Sequence, residues 1–204
     1  PTLIMCVSSR ASNLLRDGGP VLATATHSMR PLALLACCAA VVAGGSADPN
    51  KPHPHEGILK KYDLVPPSQI GLKNLGVSDE DLRQGQPVLR KIDLPGGWLR
   101  SVSVQDVHAP ESVVWSAIND LDRYPKMVDG VVVCDVYSKE KKSGAAVTCA
   151  RYKLKAAGFT LTYYMKHIFD ARKHCMTFHL DYSRCSELAD SVGYWYVEDL
   201  KDGW

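Results

Sequence analysis

Four charged residues fall within ten positions of one another and form a cluster of side chains that could do acid–base chemistry. They lie in the segment LDYSRCSELADS and are Asp181, Arg184, Glu187 and Asp190. Carboxylates act in acid–base catalysis only when their surroundings perturb their pKa values, so solvated loop charges are the simpler interpretation. The chain carries no phosphate loop, nucleophile elbow, dinucleotide fingerprint or Cys-x-x-Cys motif. The motifs therefore predict no catalytic residue, no cofactor and no metal site, and they favour a non-enzymatic protein while leaving enzymatic activity undecided.

The cysteines raise the question of a disulfide. Four of the seven lie in the second half of the chain, at Cys134, Cys149, Cys175 and Cys185. If a hairpin turn centres on Lys141-Lys142, Cys134 and Cys149 lie opposite each other, and a bond becomes possible when their Cα atoms are within ~7 Å. Small buried thiols are the alternative interpretation.

The overall charge excludes one class of partner. The 204 residues include 24 basic and 22 acidic side chains, which give a formal net charge of +2. The basic run Lys139–Lys142 is interrupted by Glu140 and is typical of a solvated turn. We therefore expect no nucleic-acid partner, and a hydrophobic content of 46% fits one globular core.

Residues 29–47 have the pattern of a secretory signal peptide. Met29 and Arg30 precede the apolar run Leu32–Ala43, which ends in the small residues Gly45-Ser46-Ala47. The run is too short to span a hydrocarbon core about 30 Å thick, and a buried core helix is the alternative. The pattern predicts entry into the secretory pathway or export, and import into a plastid by that route is also compatible with it.

The segments on either side of this signal show no regular pattern. Residues 1–28 have no sustained period and are interpreted as a leader or a gene-model artefact, outside the fold. Residues 48–97 are interpreted as a proline-rich linker, because prolines at this density oppose helices and central strands. Within the linker, His53-x-His55 has no cysteine or carboxylate at ligand spacing, which favours an exposed loop over half of a metal site.

Two helices are predicted. The first, at 78–85, has a capping box between Ser78 and Asp81. The second, at 110–121, starts with Pro110, a residue suited to the first helical turn. Its apolar face, with Trp115 at the rim, consists of Val113, Val114, Ala117, Ile118 and Leu121.

Alternating sequence predicts an antiparallel meander after residue 98. Apolar and polar residues alternate with the period of two that half-buried strands show, which places one face in the core and one in water. The predicted strands are 98–108, 130–140, 145–158, 159–170, 174–183 and 191–200. The fold class is therefore α+β, with a curved antiparallel sheet and a short helix.

Two stretches of this region resemble the START-like, helix-grip (SRPBCC) superfamily. They are VSVQDVHAPESVVWSAINDLDRYPKMVDGVVVCDVY at 102–137 and FHLDYSRCSELADSVGYWYVED at 178–199. The superfamily includes polyketide cyclases, coenzyme Q-binding proteins and lipid-binding relatives. The resemblance covers 98–204 and implies a sheet that continues through a further strand to a C-terminal lid helix. Since no such helix follows in this chain, we expect an incomplete domain.

The resemblance also implies a function. Such domains hold an apolar molecule against the sheet, so we expect binding or transfer of a lipid, sterol or quinone, with possible transient contact with a membrane. The alternatives are a polyketide cyclase or aromatase-type enzyme and a protein-interaction module. The implied ligand-binding residues, each of which could instead be an ordinary core side chain, are Tyr152, Leu161, Tyr163, Met165, His167, Phe178, Leu180, Tyr182 and Trp195.

Overall fold

The structure is a computed structural model, and it describes the chain in eight stretches. These are residues 2–10, 48–54, 56–57, 76, 78–83, 87–94, 98–156 and 159–198. The predicted signal peptide at 29–47 lies outside the described residues.

One antiparallel sheet organises the described part of the chain. Its strands are β1 (Thr2–Arg10), β2 (Val88–Leu94), β3 (Trp98–Asp106), β4 (Val131–Lys142), β5 (Ala145–Ala156), β6 (Phe159–Asp170), β7 (Cys175–Leu180) and β8 (Ser191–Glu198). Their order is β2-β3-β1-β8-β7-β6-β5-β4, and each neighbouring pair is antiparallel. The predicted α+β class with an antiparallel meander is confirmed.

Two strands lie in segments that the sequence had placed outside the fold. β1 pairs with β3 on one side and β8 on the other, so excluding residues 1–28 from the fold is wrong for 2–10. β2 pairs with β3 and interrupts the linker predicted at 48–97. The run Leu3–Val7 is continuously apolar. Such a run is typical of a strand covered on both faces, but it has no alternation to reveal it.

The hairpin between β4 and β5 shows whether Cys134 and Cys149 lie close enough to form the predicted disulfide. Its turn residues Ser143 and Gly144 have φ values of 52° and 85°, as a type I′ turn requires. Cys149 therefore lies opposite Ser138, and a register shift between Val136 and Ser138 places Cys134 opposite Tyr152. The predicted disulfide is wrong because the turn comes later than Lys141-Lys142, and both thiols are free.

Short helices complete the described elements. They are α1 (Asp79–Arg83), α2 (Glu111–Asn119) and α3 (Tyr124–Met127), with 3₁₀ turns at Leu121–Arg123 and Ala171–Lys173. The capping box of α1 is confirmed: Ser78 Oγ accepts from the Asp81 amide at 3.2 Å, and the Asp81 carboxylate accepts from the Ser78 amide at 3.1 Å.

The buried face of α2 differs from the predicted one. Val114, Trp115 and Ile118 are buried, whereas Val113 is 53% exposed. Trp115 was expected at the rim, but its large ring gains more from burial than a valine does. Its Nε1–H donates to Glu111 Oε1 at 2.8 Å, so the polar end of the ring is also satisfied.

The main core lies between the helices and one face of the sheet, which we call the inner face. α2 contacts β8, and α3 contacts β4. The side chains on the inner face alternate along the strands and pair across them. They include Thr148, Ala150, Tyr152, Leu154, Leu161, Tyr163, Met165, His167, Phe169, Met176, Phe178, Leu180 and Trp195.

The opposite, outer face is also covered at one end. Val102, Val104, Val192 and Tyr194 lie on that face by strand register, and all four are buried. α1 contacts β3 and buries Leu82. The expectation of one dry and one wet face therefore fails around β3 and β8.

Candidate functional site

A buried tyrosine–histidine pair is the main polar feature of the inner face. Tyr152 on β5 and His167 on β6 are 3% and 5% exposed. The Tyr152 hydroxyl and His167 Nε2 lie 3.0 Å apart, within hydrogen-bond distance. Antiparallel pairing of the two strands brings the residues together, since Tyr152 lies opposite Tyr163 and His167 opposite Thr148.

The second nitrogen of this imidazole has no hydrogen-bond partner among the described residues. His167 Nδ1 is buried and forms no hydrogen bond with any part of the chain that the structure describes. A buried polar atom left unsatisfied costs about 1–3 kcal/mol. Burial lowers the pKa of His167 to about 3, and the nearby His179 adds to the decrease. The ring is therefore neutral at physiological pH, with one N–H and one acceptor nitrogen.

Aromatic rings surround the pair. The Tyr163 ring stacks on Tyr152 with centroids 5.2 Å apart, and Tyr124 meets Tyr152 edge-on at 6.2 Å. Phe178 lies 5.8 Å from the His167 ring. Desolvation raises the pKa values of Tyr124, Tyr152 and Tyr163. These phenols therefore remain protonated and act only as neutral hydrogen-bonding groups.

Cys134 faces the same cluster from β4. It lies opposite Tyr152 and is buried. Burial raises the pKa of its thiol to about 12. Because the thiolate is the reactive form of cysteine, this thiol is unreactive at neutral pH.

Eight of the nine predicted ligand-binding residues lie on the inner face. Leu161, Met165, Leu180 and Trp195 are buried core residues, and Tyr163 is half-buried. Tyr152 and His167 form the buried pair described above, and Phe178 packs beside it. All eight therefore lie on one face of the sheet. Some belong to the hydrophobic core, and the others lie at or beside the Tyr152–His167 pair.

Tyr182 is the exception. Its ring stacks on His179, with centroids 5.6 Å apart, and its hydroxyl donates to Asp190 Oδ1 at 2.7 Å. β7 ends at Leu180, so the alternation that placed Tyr182 with Phe178 does not extend to it. His179 follows Phe178 in β7 and therefore faces the other side of the strand. Because the Tyr182 ring stacks on His179, it lies away from the Tyr152–His167 pair.

The charged loop 181–190 forms hydrogen bonds with residues of β4 and β6. The Asp181 carboxylate accepts from the Tyr137 hydroxyl at 2.6 Å, and the Glu187 carboxylate accepts from the Thr162 amide. The Arg184 guanidinium lies 4.3 Å from the Tyr137 ring centroid. Asp190 is only 2% exposed, so the interpretation as a solvated charge is wrong for this residue, whereas Asp181, Arg184 and Glu187 are partly exposed. Each of the four has a structural partner.

The first histidine of the predicted linker is buried. His53 Nε2 lies 2.8 Å from the Leu188 carbonyl, and the His53 amide donates to the Tyr182 carbonyl at 3.0 Å. The exposed-loop interpretation is wrong for this residue, and His55 lies outside the described residues. Within the described residues, no group of three metal-ligating side chains comes together.

Thr148 and Phe169 also flank the site, although neither is among the predicted ligand-binding residues. Thr148 lies opposite His167, and Phe169 is the next inner-face residue along β6. Both are half-buried, and the Phe169 ring lies 4.7 Å from that of Trp115 on α2. Strand alternation already placed both on this face; what the sequence lacked was the position of the helix.

Comparisons with known proteins provide no relative. No protein-family model, no curated protein and no solved structure matches the chain. Among the described residues, every helix is too short or too polar to cross a bilayer.

Proposed function

We propose that this protein binds a hydrophobic small molecule against the part of the inner face around His167 that helices α2 and α3 leave uncovered. The arrangement fits a helix-grip domain of the START-like type, in which an antiparallel sheet and short helices enclose an apolar ligand. The support is an α+β fold with the short helices on the aromatic-rich face of the sheet. Apolar surroundings with a few oriented polar groups are typical of such binding sites.

The buried, unpaired Nδ1 of His167 is the observation that carries this proposal. A core histidine normally has both nitrogens satisfied, because an unpaired one lowers stability. Here one nitrogen is held by Tyr152 and the other faces no described partner. A ligand with a hydrogen-bonding group would satisfy it and gain affinity by doing so.

The helices leave part of the inner face accessible. α2 has nine residues and is about 13.5 Å long, whereas the twelve residues of β6 extend about 40 Å. Thr148 and Phe169, which flank His167, are only half-buried, and so is Tyr163, which stacks on Tyr152. A ligand could therefore approach His167 along β6 beside the Trp115–Phe169 contact.

Co-purification from a lipid extract tests the proposal. The protein is incubated with the extract, re-isolated and analysed by mass spectrometry for bound molecules. Thr148→Phe fills the inner face beside His167, and Thr177→Phe makes the same change on the outer face of β7. Circular dichroism confirms that each variant is folded. We expect an apolar molecule on wild type and Thr177→Phe and much less on Thr148→Phe. Absence of any bound apolar molecule, or equal binding by all three proteins, contradicts the proposal.

An enzyme of the polyketide cyclase or aromatase type is the second candidate, and the buried Tyr152–His167 pair favours it. Because burial lowers the pKa of His167 to about 3, the ring is a poor general base at neutral pH. Any catalytic role would be hydrogen bonding to a substrate carbonyl. Turnover of a polyketide substrate, abolished in His167→Phe, would establish this candidate over simple binding.

A further inference from the structure

We propose that the bound molecule presents an uncharged carbonyl oxygen, such as that of a ketone, aldehyde or ester, to His167 Nδ1. This inference rests on the proposed function and specifies the ligand's chemistry at the same site. It follows from the direction of the Tyr152–His167 hydrogen bond and from the charges on the inner face.

The hydrogen-bond direction sets which nitrogen carries the proton. A phenol is a stronger donor than a neutral imidazole, and an imidazole nitrogen is a stronger acceptor than a phenol oxygen. The Tyr152 hydroxyl therefore donates to Nε2 across 3.0 Å, and the proton of the neutral ring resides on Nδ1. In the reverse arrangement the Tyr152 hydroxyl would donate instead to the sulfur of Cys134, which lies within hydrogen-bond reach but is a weak acceptor. Nδ1–H is thus a donor that requires an acceptor.

The surroundings of His167 favour an uncharged acceptor. The ring is neutral, and its neighbours on the paired strands are Thr148 and Phe178. Lys166 precedes His167 in β6 and faces the other side of the sheet. Lys139 shares the inner face, opposite Thr148, but it is exposed at the edge strand. A carboxylate beside Nδ1 would lose its hydration without a buried cation to replace it.

A matched pair of probes isolates the carbonyl. Octanophenone and octylbenzene have the same chain and ring and differ by C=O against CH₂. Dissociation constants are measured by equilibrium dialysis for wild type, His167→Phe and His179→Phe. His179→Phe makes the same substitution on the outer face of β7.

The affinity ratio of the two probes is the readout. One hydrogen bond contributes about 0.5–1.5 kcal/mol, so the ratio favouring octanophenone should fall about 3- to 10-fold in His167→Phe and stay unchanged in His179→Phe. Phenyloctanoic acid should bind wild type more weakly than octanophenone. Equal ratios in all three proteins, or tighter binding of the acid, overturn the inference. Failure of wild type to bind either probe, together with an empty lipid-extract result, overturns the proposed function itself.

Nitrogen NMR of the wild-type protein keeps the inference testable if His167→Phe does not fold. We expect free His167 to carry its proton on Nδ1, and that proton resonance to shift with octanophenone but not with octylbenzene. A proton on Nε2 in the free protein, or the same shift with both probes, contradicts the inference.

Discussion

At the scale of single residues, His167 connects the protein's stability to the ligand binding that we propose. Its Nε2 is satisfied by Tyr152, while its buried Nδ1 has no described partner. Burial keeps the ring neutral by lowering its pKa to about 3. The desolvation on which we base the proposed preference for an uncharged ligand should therefore also appear as a pH dependence of folding.

Acid should destabilise the protein through His167. In the unfolded chain its pKa is near 6.5, and in the folded protein it is about 3. The unfolded state therefore binds the proton more readily, and stability present above pH 6.5 is lost as the pH falls toward 3. Between pH 7 and pH 5 this residue alone should remove about 2 kcal/mol from the free energy of unfolding. Urea denaturation of wild type and His167→Phe measures the difference, and identical pH slopes would contradict it.

Tyr152→Phe should leave both imidazole nitrogens unpaired. The expected loss is about 1–3 kcal/mol of unfolding free energy, because a buried acceptor loses its donor. Tyr163→Phe removes a hydroxyl from the ring stacked on Tyr152 and should change stability by less than about 0.5 kcal/mol. Denaturant titration compares the two variants. Equal losses would show that the Tyr152–His167 hydrogen bond is not the relevant contact.

At the scale of the elements, helix α2 contacts both the turn before β7 and the aromatic residues beside the site. Trp115 contacts Phe169, and Glu111 accepts both from Trp115 Nε1 and from His174 Nδ1 in the turn before β7. These contacts set the rotation of the helix about its axis. They explain why Trp115 is buried and Val113 is not.

Trp115→Ala should be far more destabilising than Val113→Ala. Loss of a buried tryptophan costs about 3–5 kcal/mol, whereas an exposed valine contributes within about 0.5 kcal/mol. Thermal or urea unfolding of both variants provides the comparison. The reverse order would support the helix face that the sequence pattern predicted.

The sequence predicted the strands β4 to β8, although β7 and β8 end three and two residues earlier than predicted, at Leu180 and Glu198. β6 was predicted at 159–170 and is observed there. The hairpin register was not predictable, because a shift of the turn from Lys141-Lys142 to Ser143-Gly144 changes every pairing on β4. The Cys134–Cys149 prediction failed for that reason, and the opposition of Cys134 and Tyr152 was missed with it.

At the scale of the whole molecule, a strand from the start of the chain joins the two parts of the sheet. β1 is the only described link between the β2–β3 pair and the meander β8 to β4. No local pattern could predict this, because strands distant in sequence are brought together only by the complete fold. Likewise, eight of the nine predicted site residues were placed correctly on one face, but the Tyr152–His167 hydrogen bond required the register of β5 and β6.

Removing residues 1–10 should open the sheet between β3 and β8. Both strands would then expose unpaired backbone groups, a state prone to intermolecular pairing. We expect faster hydrogen exchange in Trp98–Asp106 and Ser191–Glu198, lower stability and more aggregation, with partial recovery on adding a peptide of residues 1–10. Unchanged exchange in both strands would show that β1 is dispensable.

We propose that the inner face binds an apolar molecule through His167. Nitrogen NMR of histidine-labelled protein, before and after equilibration with a lipid extract, tests this binding. We expect the His167 resonances to move while those of His53 and His179, outside the inner face, stay in place. Bound lipid with unchanged His167 resonances, or no bound molecule at all, would contradict it.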